Sequence, residues 1–249
     1  MARHHHIAQQ EHEEESYFVS MTDMMVGLLF IFILMLMYFA LQYQKSTENL
    51  QNAEDTRTEI LYQIKEHLEK QNIKVTVDEE SGILRLPEES LRFPSGRAEI
   101  SVEDKSVIGS LATALSLVLP CYAVGNVTKP ADCPKTAHNL EAVFIEGHTD
   151  SDTFQGNAGA DYNWELSTAR AVNTYRDLIH AKPELDNLKN ADNDYLLSVS
   201  GYGSKRRITS EKTDEEKKQN RRIDLRFVMA TPKNNSTQPV IQSVEEGLQ

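Results

Sequence analysis

LEAVFIEGHTDSDTFQGNAGADYNWELSTARA, residues 140–171, decides the fold. Leu140–Glu146 is a short apolar run stopped by Gly147, which predicts a buried strand. Ser151–Ala160 is rich in turn formers and reads as a loop. Asp161 is placed to cap a helix from Tyr162 to about Ala181, which Pro183 terminates. Tyr162, Leu166, Ala169, Val172, Tyr175 and Ile179 recur at helical spacing and are its expected inner face. Asp150 closes the strand and Arg170 lies two turns into the helix, so a strand-loop-helix unit can bring them together. One fixed carboxylate beside one fixed guanidinium suits a ligand that carries both an ammonium and a carboxylate, because the arginine fork holds a carboxylate at two points. The same two residues also suffice for a plain structural ion pair.

Towards the N-terminus, Ile73–Val77 and Ile83–Leu86 read as strands around Ser81-Gly82. Leu91–Ile100 is a loop, and Ser101–Asp104 resembles a capping box. The helix it opens has Val107, Ile108, Leu111, Leu115 and Val118 on its apolar face and is expected to end at Pro120. Residues 121–138 form an insertion. Its two cysteines, Cys121 and Cys133, fit neither a zinc pair nor a redox motif, and a disulfide in an exported chain and a pair of buried thiols both stand open. Towards the C-terminus, Tyr195–Ser200 is a further core strand. Ser204–Gln219 is a charged loop with some helix. Ile223–Met229 alternates inward Ile223, Leu225 and Phe227 with Asp224 and Arg226. Residues 231–249 are expected to be disordered. The order of elements predicts an α+β sandwich over 73–230, with helices on one face of a mixed sheet.

Before this domain lies YFVSMTDMMVGLLFIFILMLMYFALQY, residues 17–43. Its uncharged part, Met24–Leu41, is long enough to cross a bilayer as a helix. Residues 1–16 are polar and expected to be disordered, and His4–His6 there are not read as a metal site. Residues 44–72 read as an amphipathic helical neck. Leu50, Ala53, Ile60, Leu61, Ile64 and Leu68 form its stripe, available to a second copy or to a partner. Asp23, at the front of the span, has two readings. Within the apolar layer an ionised aspartate costs about 2.5–3.5 kcal/mol or more and needs a protein partner or a water path. Alternatively, Ser20–Asp23 caps the helix start in the headgroups.

A net charge of -12 excludes a basic nucleic-acid surface. A mean hydropathy of -0.50 fits one span on a polar chain. His148, Asp150 and Ser167 are the residue types of a hydrolase triad, but Ser167 lies inside a helix with no nucleophile elbow, so no enzyme and no cofactor are expected.

Gly-His-Thr-Asp at 147–150, Tyr-Asn-x-x-Leu-Ser-x-x-Arg-Ala at 162–171, Gly-Tyr-Gly at 201–203 and Asn-Arg-Arg-Ile at 220–223 form one ordered set. Over about Leu84–Val228 it resembles the OmpA C-terminal family of non-covalent peptidoglycan-binding modules. The resemblance implies that Thr149, Asp150, Asn163, Arg170 and Arg221 line a pocket for the peptide stem. The gap from Asp150 to Arg170 exceeds the family's usual one, so Ser151–Ala160 is expected to shape the pocket. Together with the span and Asp23, the chain resembles B subunits of MotB-type ion-driven stators. The acidic N-terminus and Ser-Met-Thr-Asp-Met-Met are most similar to ZorB, the B-subunit family of Zorya anti-phage motors. That resemblance implies Asp23 as the ion carrier; Ser20 and Thr22 could help ligate Na⁺ through oxygens, but a proton needs no such help and is favoured. It also implies a B homodimer inside a ring of five multi-span A subunits of the MotA or ZorA type. The location implied is the bacterial inner membrane, with the N-terminus cytoplasmic and the C-terminal domain periplasmic. A passive membrane-to-wall tether and a flagellar stator subunit are the alternatives.

Overall fold

The structure is a computed structural model that describes residues 2–125, 127–136, 138–152 and 159–231. The tail from 232 onward, expected to be disordered, lies outside the described residues. The chain divides into two compact units, one up to Leu50 and one from Gln51 on.

Helix α1 is Ala2–Glu69. It contains no proline and a single glycine, Gly27, and is rich in Glu, Gln, Leu and Met, all good helix formers. The helix stops at Asn72, whose φ of 61° puts it in the left-handed region. Ile73 N–H then donates to Leu68 O at 3.0 Å and Asn72 N–H to Glu69 O at 2.9 Å, a Schellman closure with Leu68 and Ile73 both buried. Three expectations change here. Residues 2–16 are helical rather than disordered, because nothing in that acidic, Gln-rich stretch breaks the helix. Ser20–Asp23 do not start a helix, so Asp23 is not a first-turn cap. Most of the neck stripe is not free for another chain: Ile60, Leu61, Ile64 and Leu68 are all 0% exposed, within the core of the globular unit, whereas Leu50 is 52% exposed.

In the first unit, an 18-residue window of α1 has a mean hydropathy of 2.7 and none of it is buried. The side chains from Met24 to Phe39 stand exposed, an apolar surface of the kind a bilayer covers. Helix α2, Lys105–Tyr122, also has an apolar window, but half of it is buried in the domain core.

The globular unit is a five-stranded mixed sheet of order β1-β2-β5-β3-β4. Its strands are β1 Thr76–Asp78, β2 Ile83–Pro87, β3 Leu140–His148, β4 Leu197–Gly201 and β5 Arg222–Met229. β3 and β4 are parallel and the other pairs antiparallel. Leu84, Leu86, Val143, Ile145, Ile223, Leu225 and Phe227 face one core with α2 and the end of α1. α2 runs past Pro120 to Tyr122, since a proline near a helix end forfeits only one backbone bond. The Ser101 side chain makes no cap to the backbone; it donates to Asp104 Oδ2 at 2.9 Å. Cys121 and Cys133 form a disulfide that ties the end of α2 to the insertion.

Helix α3, Gly159–Ala181, turns a different face inward from the one its apolar residues predict. Asn163, Ser167, Arg170, Ala171, Thr174 and Leu178 are its buried positions, while Leu166, Tyr175 and Ile179 are half-buried on the flanks. The reason is close approach. A Cβ on Gly147 would stand 2.0 Å from Ser167 O, and one on Gly201 would stand 2.1 Å from Thr168 Oγ1. Gly147 and Gly201 are register partners of β3 and β4, so around Ser167 and Thr168 the helix lies almost on the sheet and leaves no room for a bulky apolar side chain.

Candidate functional site

One cleft of about 300 Å³ is lined by Thr149, Asp150, Asn163, Arg170 and Arg221, together with Glu88, Phe93, Tyr162 and others. The five residues marked by sequence thus meet at one place. Thr149 and Asp150 follow the end of β3, where Thr149 N–H donates to Gly203 O at 3.0 Å. The Asn163 amide donates to Asp150 O at 3.3 Å and Asp152 O at 3.1 Å, which fixes the loop leaving β3. Helix α3 also pins the opposite wall. Tyr162 Oη donates to Gly96 O at 2.9 Å, Arg170 Nε to Arg97 O at 3.0 Å, and Asn173 Nδ2 to Ala98 O at 2.9 Å. Of the loop expected to shape the pocket, 153–158 lie outside the described residues. Asp152, at its start, is held by Lys217 Nζ at 2.8 Å.

The electrostatics divide the two arginines. Arg221 is fully engaged: Nε and Nη2 donate to Glu88 at 2.9 and 2.6 Å, and Nη1 donates to Asp150. Hydrogen bonding to Glu88 raises its pKa above the usual arginine value, against some burial. Arg170 is 5% exposed, lies over the Phe93 ring at 4.9 Å, and spends only Nε on the protein. Burial pushes it down to about 10, with Glu88 and Asp150 acting the other way. Its terminal nitrogens donate to no described residue. Thr149 Oγ1 is likewise buried without a described hydrogen-bond partner. Buried polar groups are rarely left unpaired, and one that lines a cleft is well placed for a ligand. The cleft therefore offers a free guanidinium edge beside a carboxylate pair.

Asp150–Arg170, the pairing read from sequence, is not the hydrogen-bonded one; Asp150 bonds Arg221. The sequence reading also missed Glu88. The register pair Pro87↔Arg222 explains it: one step further along the antiparallel ladder, Glu88 stands across from Arg221. The two are 133 residues apart, so no local spacing shows it.

On the other face of the sheet, Asp224 and Arg226 are not solvated as the alternation predicts. Glu146, His148, Arg222 and Asp224 are all buried there. Arg226 grips Glu146 at 2.8 and 3.0 Å, and Arg222 Nε lies 3.1 and 3.0 Å from the Asp224 oxygens. Arg85 Nε stands 3.6 Å from Asp224 and its Nη2 2.8 Å from Asp78. Tyr202 stacks on His148 at 5.4 Å. Glu146, His148 and Asp224 are close enough together to ligate a cation, but arginines already neutralise both carboxylates.

Burial pushes the Glu146 carboxyl up, and His148 and Arg226 together outweigh it and hold it at about 2. At 3.8 Å the His148 ring is beyond hydrogen-bonding range, so the two bonds from Arg226 carry most of that effect. Burial holds His148 below its ordinary 6.5 in spite of Glu146 and Asp224. Both groups bind protons less readily folded than unfolded. Stability is therefore complete above pH 6.5 and declines on acidification. His148 acts from 6.5 downward, and Glu146 from its ordinary 4.5 down to about 2. Thermal unfolding of the full chain is expected to show a lower Tm at about pH 5 than at about pH 7.5; an equal or higher Tm at the acidic pH contradicts this account.

The hydrolase residue types do not assemble. Ser167 Oγ donates to Trp164 O at 2.8 Å and accepts from Gly203 N–H at 2.9 Å. Neither ring nitrogen of His148 has a described hydrogen-bond partner.

This is an OmpA-like α/β domain preceded by an apolar helix, and the OmpA family model matches residues 126–221. Its relatives are MotB-like. Motility protein B of Bacillus subtilis (strain 168) is 28% identical over 144 residues, which is 58% of this chain and 44% of the relative. The uncharacterized protein YtxE of the same organism is 22% identical over 183 residues, covering 72% of this chain and 63% of the relative. The matches thus span less than two thirds of either relative's length. A solved structure described as a MotB-like protein from Desulfovibrio vulgaris superposes with a TM-score of 0.50 at 20% identity, covering 72% of this chain and 98% of that one.

Proposed function

We propose that the chain is the cell-wall-anchored B subunit of an ion-driven inner-membrane motor of the MotA/MotB type. The observation that carries the reading is the convergence of Thr149, Asp150, Asn163, Arg170 and Arg221 on one cleft with an uncommitted guanidinium edge. That chemistry fits the ammonium and carboxylate of diaminopimelate in a peptidoglycan stem. Its likeness to Motility protein B supports a stator role. The exposed apolar stretch of α1 supports a membrane anchor. The Cys121–Cys133 disulfide supports an oxidising, periplasmic location for the domain, with the N-terminus cytoplasmic.

In this reading Asp23 carries the ion, a proton rather than Na⁺. Asp23 sits within a helix that has already run from Ala2, so it is not occupied as a cap. The partners are a second copy of the chain and a multi-span A subunit, five around a B pair. The Ser-Met-Thr-Asp-Met-Met stretch and the acidic N-terminus favour a Zorya-type anti-phage motor over a flagellar one.

Asp23→Asn is the test. It is expected to abolish phage protection and ion conduction with the A subunit while leaving sedimentation with purified sacculi unchanged. Protection and conduction at wild-type level would make the chain a passive tether, and restored swimming in a strain lacking its own stator subunit would make it a flagellar one.

A further inference from the structure

The Arg221–Glu88 pair is a partition. On its far side lies a second, wider cleft of about 520 Å³, lined by Glu88, Glu89, Arg92, Lys218 and Arg221. The two clefts share Glu88 and Arg221 and nothing else. Most of the charge in the second cleft is already committed. Arg221 is occupied by Glu88 and Asp150. Glu89 stands 3.5 Å from Lys74. Two cations remain. Arg92 touches Asp104 only through Nε, at 3.4 Å, and its side chain is 62% exposed. Its stem is nevertheless placed, because its own backbone N–H donates to the same Asp104 oxygen at 2.9 Å. Lys218, in the last turn of helix α4 (Asp214–Asn220), is 3.9 Å from Glu215 and 49% exposed.

We propose that this second cleft is a carboxylate subsite, in which the guanidinium end of Arg92 and the ammonium of Lys218 receive a second anionic group of the ligand held in the first cleft. The inference rests on the peptidoglycan reading of that first cleft. The ligand class is then a stem peptide that presents two charged ends. Its diaminopimelate side chain, carrying both signs, enters between Asp150 and Arg170. Its free C-terminal carboxylate reaches past the Arg221–Glu88 partition to Arg92 and Lys218. The first cleft discriminates by matching a zwitterion, and the second by demanding an anion. Both cations are exposed, so the second contact is the weaker one and is sensitive to salt.

The test is a titration of the full chain, in detergent, with two synthetic diaminopimelate-containing stem tetrapeptides, one ending in a free carboxylate and one in an amide. Wild type is expected to prefer the acid. The double variant R92Q/K218Q is expected to lose about three- to tenfold in affinity for the acid and nothing for the amide, so that the preference disappears. Both substitutions lie on exposed side chains, and an unchanged Tm verifies the fold. An acid preference that survives in R92Q/K218Q, or an equal loss on both peptides, overturns the proposal. The first cleft is read separately by Arg170→Ala, which is expected to lose both peptides. If neither peptide binds wild type, or Arg170→Ala binds both as well as wild type, the peptidoglycan reading falls and takes this one with it.

Discussion

Arg170→Ala protein is expected to stay in the supernatant when the full chain is spun with purified sacculi that pellet wild type. Arg170 is the cation the cleft holds in reserve. It is 5% exposed, propped over Phe93 and tethered through Nε, and no described residue takes its terminal nitrogens. Truncating one partner of a desolvated charge pair costs about 2–5 kcal/mol, a loss of roughly thirtyfold to several thousandfold in affinity. Part of that loss is indirect, because Arg170 also pins the 93–98 wall. Arg170→Lys separates the two effects. It keeps the charge but loses the fork, so it is expected to bind markedly more weakly than wild type while keeping its Tm. Wild-type sedimentation of the folded alanine variant would remove the cleft from the account.

The second large effect is on the fold. Gly147→Ala is expected to cost more than about 3 kcal/mol, a fall in Tm of roughly 10 °C, or to leave no folded domain. The new methyl would meet Ser167 O at 2.0 Å and Ser167 C at 2.8 Å. Those are backbone atoms of α3, so no side chain can swing aside, and the helix must lift. Asn163 and Arg170 ride on that helix, so the cleft opens with it. Gly109→Ala is the control. It lies in mid-helix with no heavy atom within 4 Å of the new methyl, and is expected to be neutral or to stabilise by about 0.5–1 kcal/mol. Equal unfolding temperatures for Gly147→Ala and wild type would show that α3 is not seated as described.

The same close approach explains what was legible in the sequence. Most strands and helices were, because apolar runs and breakers mark them, and the ordered motifs marked five of the residues that line the cleft. The face of α3 was not. Its apolar residues pointed to one side, but the glycines of β3 and β4 turned Ser167 and Thr174 inward instead. The Glu88–Arg221 bond was hidden because it depends on the register of β2 against β5. The buried charges beneath Tyr202 were hidden because alternation says which face a side chain takes, not whether that face is dry. The neck read correctly as an amphipathic helix. What most of its stripe packs on was not legible, since a stripe is the same whether it meets a second copy or its own domain.

That last feature has a mechanical meaning. Ile60, Leu61, Ile64 and Leu68 are seated in the core with 0% exposure. Tension arriving along α1 does not first take up slack in a loose connector from Gln51 onward; it acts on the packed interior of the domain itself. How long the domain withstands a pull on that helix is then set by its own unfolding rate, and a substitution that loosens the core shortens that time without touching the cleft.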